Sequence, residues 1–221
     1  MLKIVELLKR VPSLSVDAFQ ARWLAHGPVR AAVPGVLRHV QSHALPQGYR
    51  KGQLLFDGIA EYWFADRESW QAVRATPAWR KAVEETGGFA DPARGVTMAV
   101  DVHVIKDGAI PANAVKNIEF VNRRPGMALE PFRHYWRTVH GPLAATIPVL
   151  RRYEQNHLTP ESYDQEPNPP YDGLAITWFA STADMKAGTL TPEYAATRAD
   201  EANFLPDGHL PIIITREHAF L

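Results

Sequence analysis

The chain says nearly the same thing twice. "FQARWLAHGPVRAAVPGVLRHVQSH" at 19–43 returns as "FRHYWRTVHGPLAATIPVLRRYEQNH" at 132–157. Both carry Phe, Trp, His-Gly-Pro, a second Pro and a closing Gln-x-His, but the second has one more residue between Trp and His. The match extends outward in order: "VELLKR" at 5–10 with "IEFVNR" at 118–123, "DGIAEYWF" at 57–64 with "DGLAITWF" at 172–179, Thr76-Pro77 with Thr191-Pro192, and Phe89 with Phe204. The offset drifts only from 113 to 115 residues, so two single-residue insertions suffice. Repetition of that order and extent means a duplicated folding unit, and it constrains the fold more than any other feature.

Each copy predicts the same elements. A strand opens it ("LKIVELLKR" or "NIEFVNRR"). A helix follows, which Ser15 would cap in the first copy, with Asp17 in its first turn. Two strands come next, then helical segments broken at Pro77 or Pro192, and a closing strand ("GVTMAVDVHVI" or "LPIIITREH"). The order β-α-β-β-α-β is ferredoxin-like. Its helices cover one sheet face and leave the other bare, so two copies can close on each other into a barrel within one chain. The expected fold is therefore α+β, with two tandem ferredoxin-like units at 1–108 and 114–221 forming an intrachain dimeric α+β barrel. "KDGAIPANA" at 106–114 has the turn residues of a joint.

Periodicity also points to candidate functional residues. Phe132, Trp136 and His140 are spaced i, i+4, i+8, and Phe19, Trp23 and His26 i, i+4, i+7, so both sets occupy one helix face. The Gly-Pro after each His predicts a helix end there. On the second strand, His39, Gln41 and His43 share a face, as do Tyr153, Gln155 and His157. A polar row at matching places needs either water or hydrogen-bond partners.

"F-x-x-x-W-x-x-x-H-G-P-L" followed by "Y-x-Q-N-H" resembles the EthD family, named for a protein linked to ether degradation, and the resemblance covers essentially the whole chain as two units. It implies ferredoxin-like domains that pair into an α+β barrel, with the polar strand row facing the barrel interior. The first copy departs from the pattern: its Trp-to-His spacing is shorter, and His39 and Ser42 stand where Tyr153 and Asn156 stand later.

Three functions follow as expectations. The first is a cofactor-independent enzyme of isomerase, lyase or cyclase type. In it, His140, with His157 and Tyr153, moves a proton on a small apolar, aromatic or carbonyl-bearing molecule, imidazole being suited by a pKa near working pH. His26 and His43 form the corresponding group of the other half. Trp136, Phe132, Gln155, Asn156, His39, Gln41, Trp23 and Trp178 would line the substrate site, although core packing is the commoner use of such aromatics. The second is an oxidoreductase, a monooxygenase or an accessory to one, with haem as the alternative cofactor by analogy alone. The third is a non-catalytic binder of the same kind of ligand.

Composition narrows the rest. No cysteine is present, which removes disulfides, thiolate catalysis and Cys-based metal sites. Lys plus Arg and Asp plus Glu are both 24, leaving no net charge to draw nucleic acid or anionic lipid. No Gly-rich phosphate loop and no His-x-x-x-His helix pair suggests a nucleotide or metal. The N-terminus does not read as a signal peptide and no apolar run approaches spanning length, so a cytoplasmic protein is expected, with a homodimer of the tandem unit as one assembly. The Pro-rich "TPESYDQEPNPPYDG" at 159–173 reads as a surface connection, or alternatively a cover over a cavity mouth.

Overall fold

The computed structural model describes residues 1–166 and 168–220; Pro167, inside the Pro-rich stretch, lies outside the described residues. The strands are β1 (Leu2–Leu8), β2 (Arg38–Ala44), β3 (Gly58–Phe64), β4 (Val96–Lys106), β5 (Val115–Val121), β6 (Leu150–Leu158), β7 (Gly173–Phe179) and β8 (Ile212–Ala219). Their hydrogen-bonded order is β1-β3-β2-β8-β5-β7-β6-β4, returning to β1, a closed eight-stranded barrel. The fold is thus the expected α+β barrel of two ferredoxin-like units. Two compact units divide it: Met1–Val100 with Thr215–Leu221, and Asp101–Ile214. The division falls inside β4 and β8 and not in the 106–114 joint.

In the first unit, β1 pairs antiparallel with β3 and with the first half of β4, while β2 pairs with β3 and the last part of β8. One face is covered by α1 (Val16–Ala31), α2 (Arg67–Arg74) and α3 (Pro77–Thr86). Ser15 caps α1 as expected, its hydroxyl accepting from the Ala18 amide, and Asp66 and Thr76 cap the other two. Phe19, Trp23, Tyr62, Phe64, Trp79 and Phe89 pack into one core with the aliphatic side chains of β1.

α1 does not stop at His26-Gly27-Pro28 but runs through it to Ala31, which corrects the expected helix end. Pro28 removes one backbone donor with a single turn left, a loss the helix absorbs. Gly27 is needed for another reason: the Phe220 ring stands 2.1 Å from where its Cβ would be.

In the second unit, β5 and β6 flank β7 antiparallel. Its helices are α4 (Leu129–Tyr135), α5 (Gly141–Ala145), α6 (Pro160–Gln165), α7 (Thr182–Gly188) and α8 (Pro192–Asp200). Between α4 and α5 lies a π-helical turn, Trp136–His140. The extra residue of this copy is accommodated there: the wider turn keeps Trp136 and His140 on the face that Trp23 and His26 occupy one residue closer. The helix again continues through His-Gly-Pro, with the Gly141 amide bonded to the Trp136 carbonyl. Part of the stretch read as a surface loop is helical, α6, and Tyr163 ties it down by donating to Asp172 at 2.6 Å.

Candidate active site

The Gln-x-His motif explains itself first. Gln155 Nε2 donates to the Trp136 carbonyl at 2.7 Å, and its Oε1 accepts from His157 Nε2 at 3.1 Å. The His157 ring then stacks under the Trp136 indole. The first unit repeats the lock: Gln41 donates to the Trp23 carbonyl at 2.8 Å, His43 to Gln41 at 2.9 Å, and Trp23 lies over His43. These strand rows therefore face the helices of their own unit. The expectation that they face the opposite, barrel-interior side is corrected, because the Trp carbonyls and rings supply the partners the polar row requires.

Burial holds both lock histidines neutral: His157 is driven down to about 2, with His103 and two arginines adding to the effect, and His43 to about 3. His39, stacked between Tyr62 and Phe220, is lowered by burial to about 4. Phe132 and Phe19 are core, packed on their tryptophans. Trp178 lies on the helix-free face beside Lys116, 5.0 Å from its ammonium. Asn156, next in parity to Gln155, is buried on that same helix-free side.

A cavity of about 180 Å³ lies in the second unit, between the helix-covered face of the sheet and α5, α7 and α8. Its wall is mainly apolar, with Trp136, Ala144, Ile147, Phe179 and Phe204 among the lining residues. A cavity of about 150 Å³ lined by apolar side chains can hold a benzene ring, so a small planar molecule fits. Of the proposed catalytic residues, His140 and Tyr153 border it; His157 does not, and neither do His26 and His43 of the other unit.

His140 Nδ1 donates to Asp200 Oδ2 at 2.9 Å. Asp200 lies behind the ring, outside the cavity lining. Burial would raise its carboxyl, but hydrogen bonds from Tyr135, His140 and Asn203 outweigh this and keep it low. A carboxylate there fixes the imidazole proton on Nδ1 and leaves Nε2 as the basic atom. Burial lowers the His140 pKa, against the opposing pull of Asp200. Tyr153 is raised by burial; its oxygen accepts from Trp136 Nε1 at 3.2 Å and Gln155 Nε2 at 3.0 Å, so its own proton is free to be donated.

Two carboxyls complete the wall, and sequence reasoning missed both. Glu119 on β5 is raised by burial, against a hydrogen bond from Asn117 Nδ2 at 3.2 Å and the charge of Arg198. Glu201, just past α8, is raised by burial to about 7 despite its ion pair with Arg198 at 2.5 Å; Glu119 pushes in the same direction. The one available signal was the match of Glu119 to Glu6, an acidic residue at the same place in both opening strands. Among the described residues, no group of three or more His, Asp or Glu is placed to hold a metal ion, and no helix is long and apolar enough to cross a membrane.

The EthD domain model matches residues 11–93 and again 124–207, and the chain belongs to the EthD family. Among solved structures, an anthrone oxidase-like protein superposes with a TM-score of 0.63 at 9% identity, covering 99% of this chain and 92% of that one. A provisionally assigned monooxygenase from Lactobacillus acidophilus NCFM gives 0.60 at 14%, covering 99% and 94%. An ethyl tert-butyl ether d (ethd) family protein from Bacillus halodurans gives 0.37 at 20%, covering 46% and 98%. At these identities the first two are similar in fold. No curated protein matches the sequence significantly.

Proposed function

We propose that the second unit is a proton-transfer enzyme acting on a small planar molecule, mostly apolar and carbonyl-bearing or aromatic, held in the cavity beside His140. The carrying observation is the pairing of a mainly apolar cavity with titratable groups whose proton affinities burial has shifted: His140, lowered and backed by Asp200, and Glu201, raised to about 7. His140 Nε2 takes a proton from the substrate, and the Asp200 carboxylate stabilises the imidazolium that forms. Tyr153 donates to the substrate oxygen where negative charge gathers, and water exclusion strengthens both interactions. Glu201 returns a proton at a second position, which gives an isomerisation, or to a departing group, which gives an elimination.

The reading is tested with a panel of small cyclic ketones and phenols, following solvent-deuterium incorporation by NMR. Wild-type protein should exchange at least one carbon-bound position, and His140→Ala should slow that exchange at least a hundredfold while remaining folded. Exchange unaffected by His140→Ala would refute it. Saturable ligand binding without exchange would leave a binding protein. An oxidative reaction on the same ligands would be recognised by oxygen uptake, and haem by a Soret band in the purified protein.

A further inference from the structure

The first unit shows what its own version of the cavity contains. The place is filled by Arg30, which reaches down from α1 and is buried. Its Nη2 bonds Glu6 Oε1 at 2.6 Å, and its guanidinium lies 3.9 Å from the Trp79 ring centroid and 4.7 Å from that of Tyr62. A planar cation thus sits in an aromatic slot with a carboxylate at its edge.

The second unit keeps the carboxylate and one aromatic wall of this slot and has no cation at the place of Arg30. Counting from His-Gly-Pro, Arg30 corresponds to Ala144; from the matched strands and Thr-Pro turns, Glu6 corresponds to Glu119, Tyr62 to Thr177 and Trp79 to Tyr194. Registers agree: Glu6 opposes Ala60 on β3, and Glu119 opposes Ala175 on β7. Ala144, Glu119, Thr177 and Tyr194 all line the cavity. Glu119 forms its hydrogen bond with Asn117 and no ion pair among the described residues. Arg198 lines the same cavity, but its guanidinium is committed to Glu201 and to His209 Nδ1, at 2.5 and 2.9 Å.

We infer that the second-unit cavity takes a ligand whose planar cationic head, an amidinium, guanidinium or arylammonium, occupies the place of the Arg30 guanidinium, bonded to Glu119 and packed on Tyr194. This rests on the reading of the cavity as the ligand site and narrows its substrate class. Burial raises the proton affinity of Glu119 against the charge of Arg198, and a bound cation adds opposite charge beside the carboxyl. Cations over aromatic faces gain further from desolvation.

Benzamidine, its neutral isostere benzamide, and toluene are titrated into the full chain by calorimetry, with thermal shift in parallel. Benzamidine should bind at least tenfold tighter than benzamide. Glu119→Gln should remove that preference while leaving the melting temperature of the free protein within a few degrees. Ala144→Arg, which supplies the side chain the first unit uses, should abolish binding. Benzamide or toluene binding as tightly as benzamidine, or a preference that survives Glu119→Gln, would overturn the cationic head and leave the cavity reading standing. Failure of all three compounds to bind would overturn both.

Discussion

Trp136 lies flat over the imidazole of His157, ring centroids 4.3 Å apart and planes 11° from parallel; Trp23 and His43 repeat the pair at 4.3 Å and 4°. Duplication has preserved this stack together with the Gln that joins it to the helix backbone. The imidazole inside it is a packing surface, with one nitrogen spent on Gln and the ring too buried to protonate. The motif that most suggests chemistry in the sequence is therefore a helix-to-sheet clamp, and the histidine that borders the cavity is the neighbouring His140.

Acid should unfold the protein by way of these rings. His157, His43 and His39 have folded pKa values of about 2, 3 and 4, below the unfolded value. The unfolded chain therefore binds more protons, and stability is full above about pH 6.5 and declines as pH falls toward the folded values. Each ring contributes a slope of about 1.4 kcal/mol per pH unit in that window. Urea titrations from pH 7 to 4 should show the decline, and His157→Gln should flatten it by about one such increment.

Gly173 faces Trp136 at the start of β7. A Cβ there would stand 2.4 Å from the Asn156 carbonyl oxygen and 2.9 Å from the indole. Because one of the obstacles is backbone, Gly173→Ala should cost at least about 3 kcal/mol, the upper range of overpacking. Chemical denaturation measures it.

Asp57 anchors the loop before β3. It accepts from Tyr49 at 2.7 Å and the Arg10 amide at 2.9 Å, and pairs with Lys9 at 3.1 Å and Arg10 at 2.5 Å. Burial alone would raise its pKa, but these donors hold it low. Asp57→Asn leaves the buried Lys9 and the half-buried Arg10 without their anion and should cost about 3 kcal/mol, the lower end for a broken buried pair. The loss should be largest near neutral pH and shrink under acid, where the wild-type carboxyl is protonated as well.

The π-helical turn separates stability from function. Deleting Thr138 restores the spacing of the first unit, and ordinary α-helical bonds can form. The deletion variant should keep its melting temperature within a few degrees. It should lose most ligand-dependent proton exchange, since π-turns cluster at functional sites and this one carries Trp136 and His140, both in the cavity wall.

Glu201 should mark the pH profile. Removing the Arg198 guanidinium by Arg198→Gln withdraws the main influence that lowers its pKa. The inflection in rate near pH 7 should move to higher pH, as followed by initial exchange rates across pH 5–9.

The duplicated architecture was legible because strand and helix periodicities recur in register over both copies, and the Ser15 cap and the shared faces of the Trp and His residues follow from that periodicity. Which way the polar rows point was not legible. Alternation shows that His39, Gln41 and His43 share a face, but only the packed helix reveals that Gln41 has a carbonyl waiting for it. The cavity was equally hidden, since it arises by subtraction: Ala144 and Thr177 leave empty what Arg30 and Tyr62 fill. Glu119 and Glu201 carry no motif, and their importance comes from burial.

β8 has a consequence for synthesis. The strand that completes the first unit's sheet beside β2, and the Phe220 ring that settles against Gly27 and His39, are encoded more than a hundred residues after the rest of that unit. On the ribosome the earlier half waits with one sheet edge unpaired while the later half emerges. Its maturation is thus timed by translation of the distal segment, and a nascent chain stalled before residue 215 would be vulnerable to edge-to-edge association.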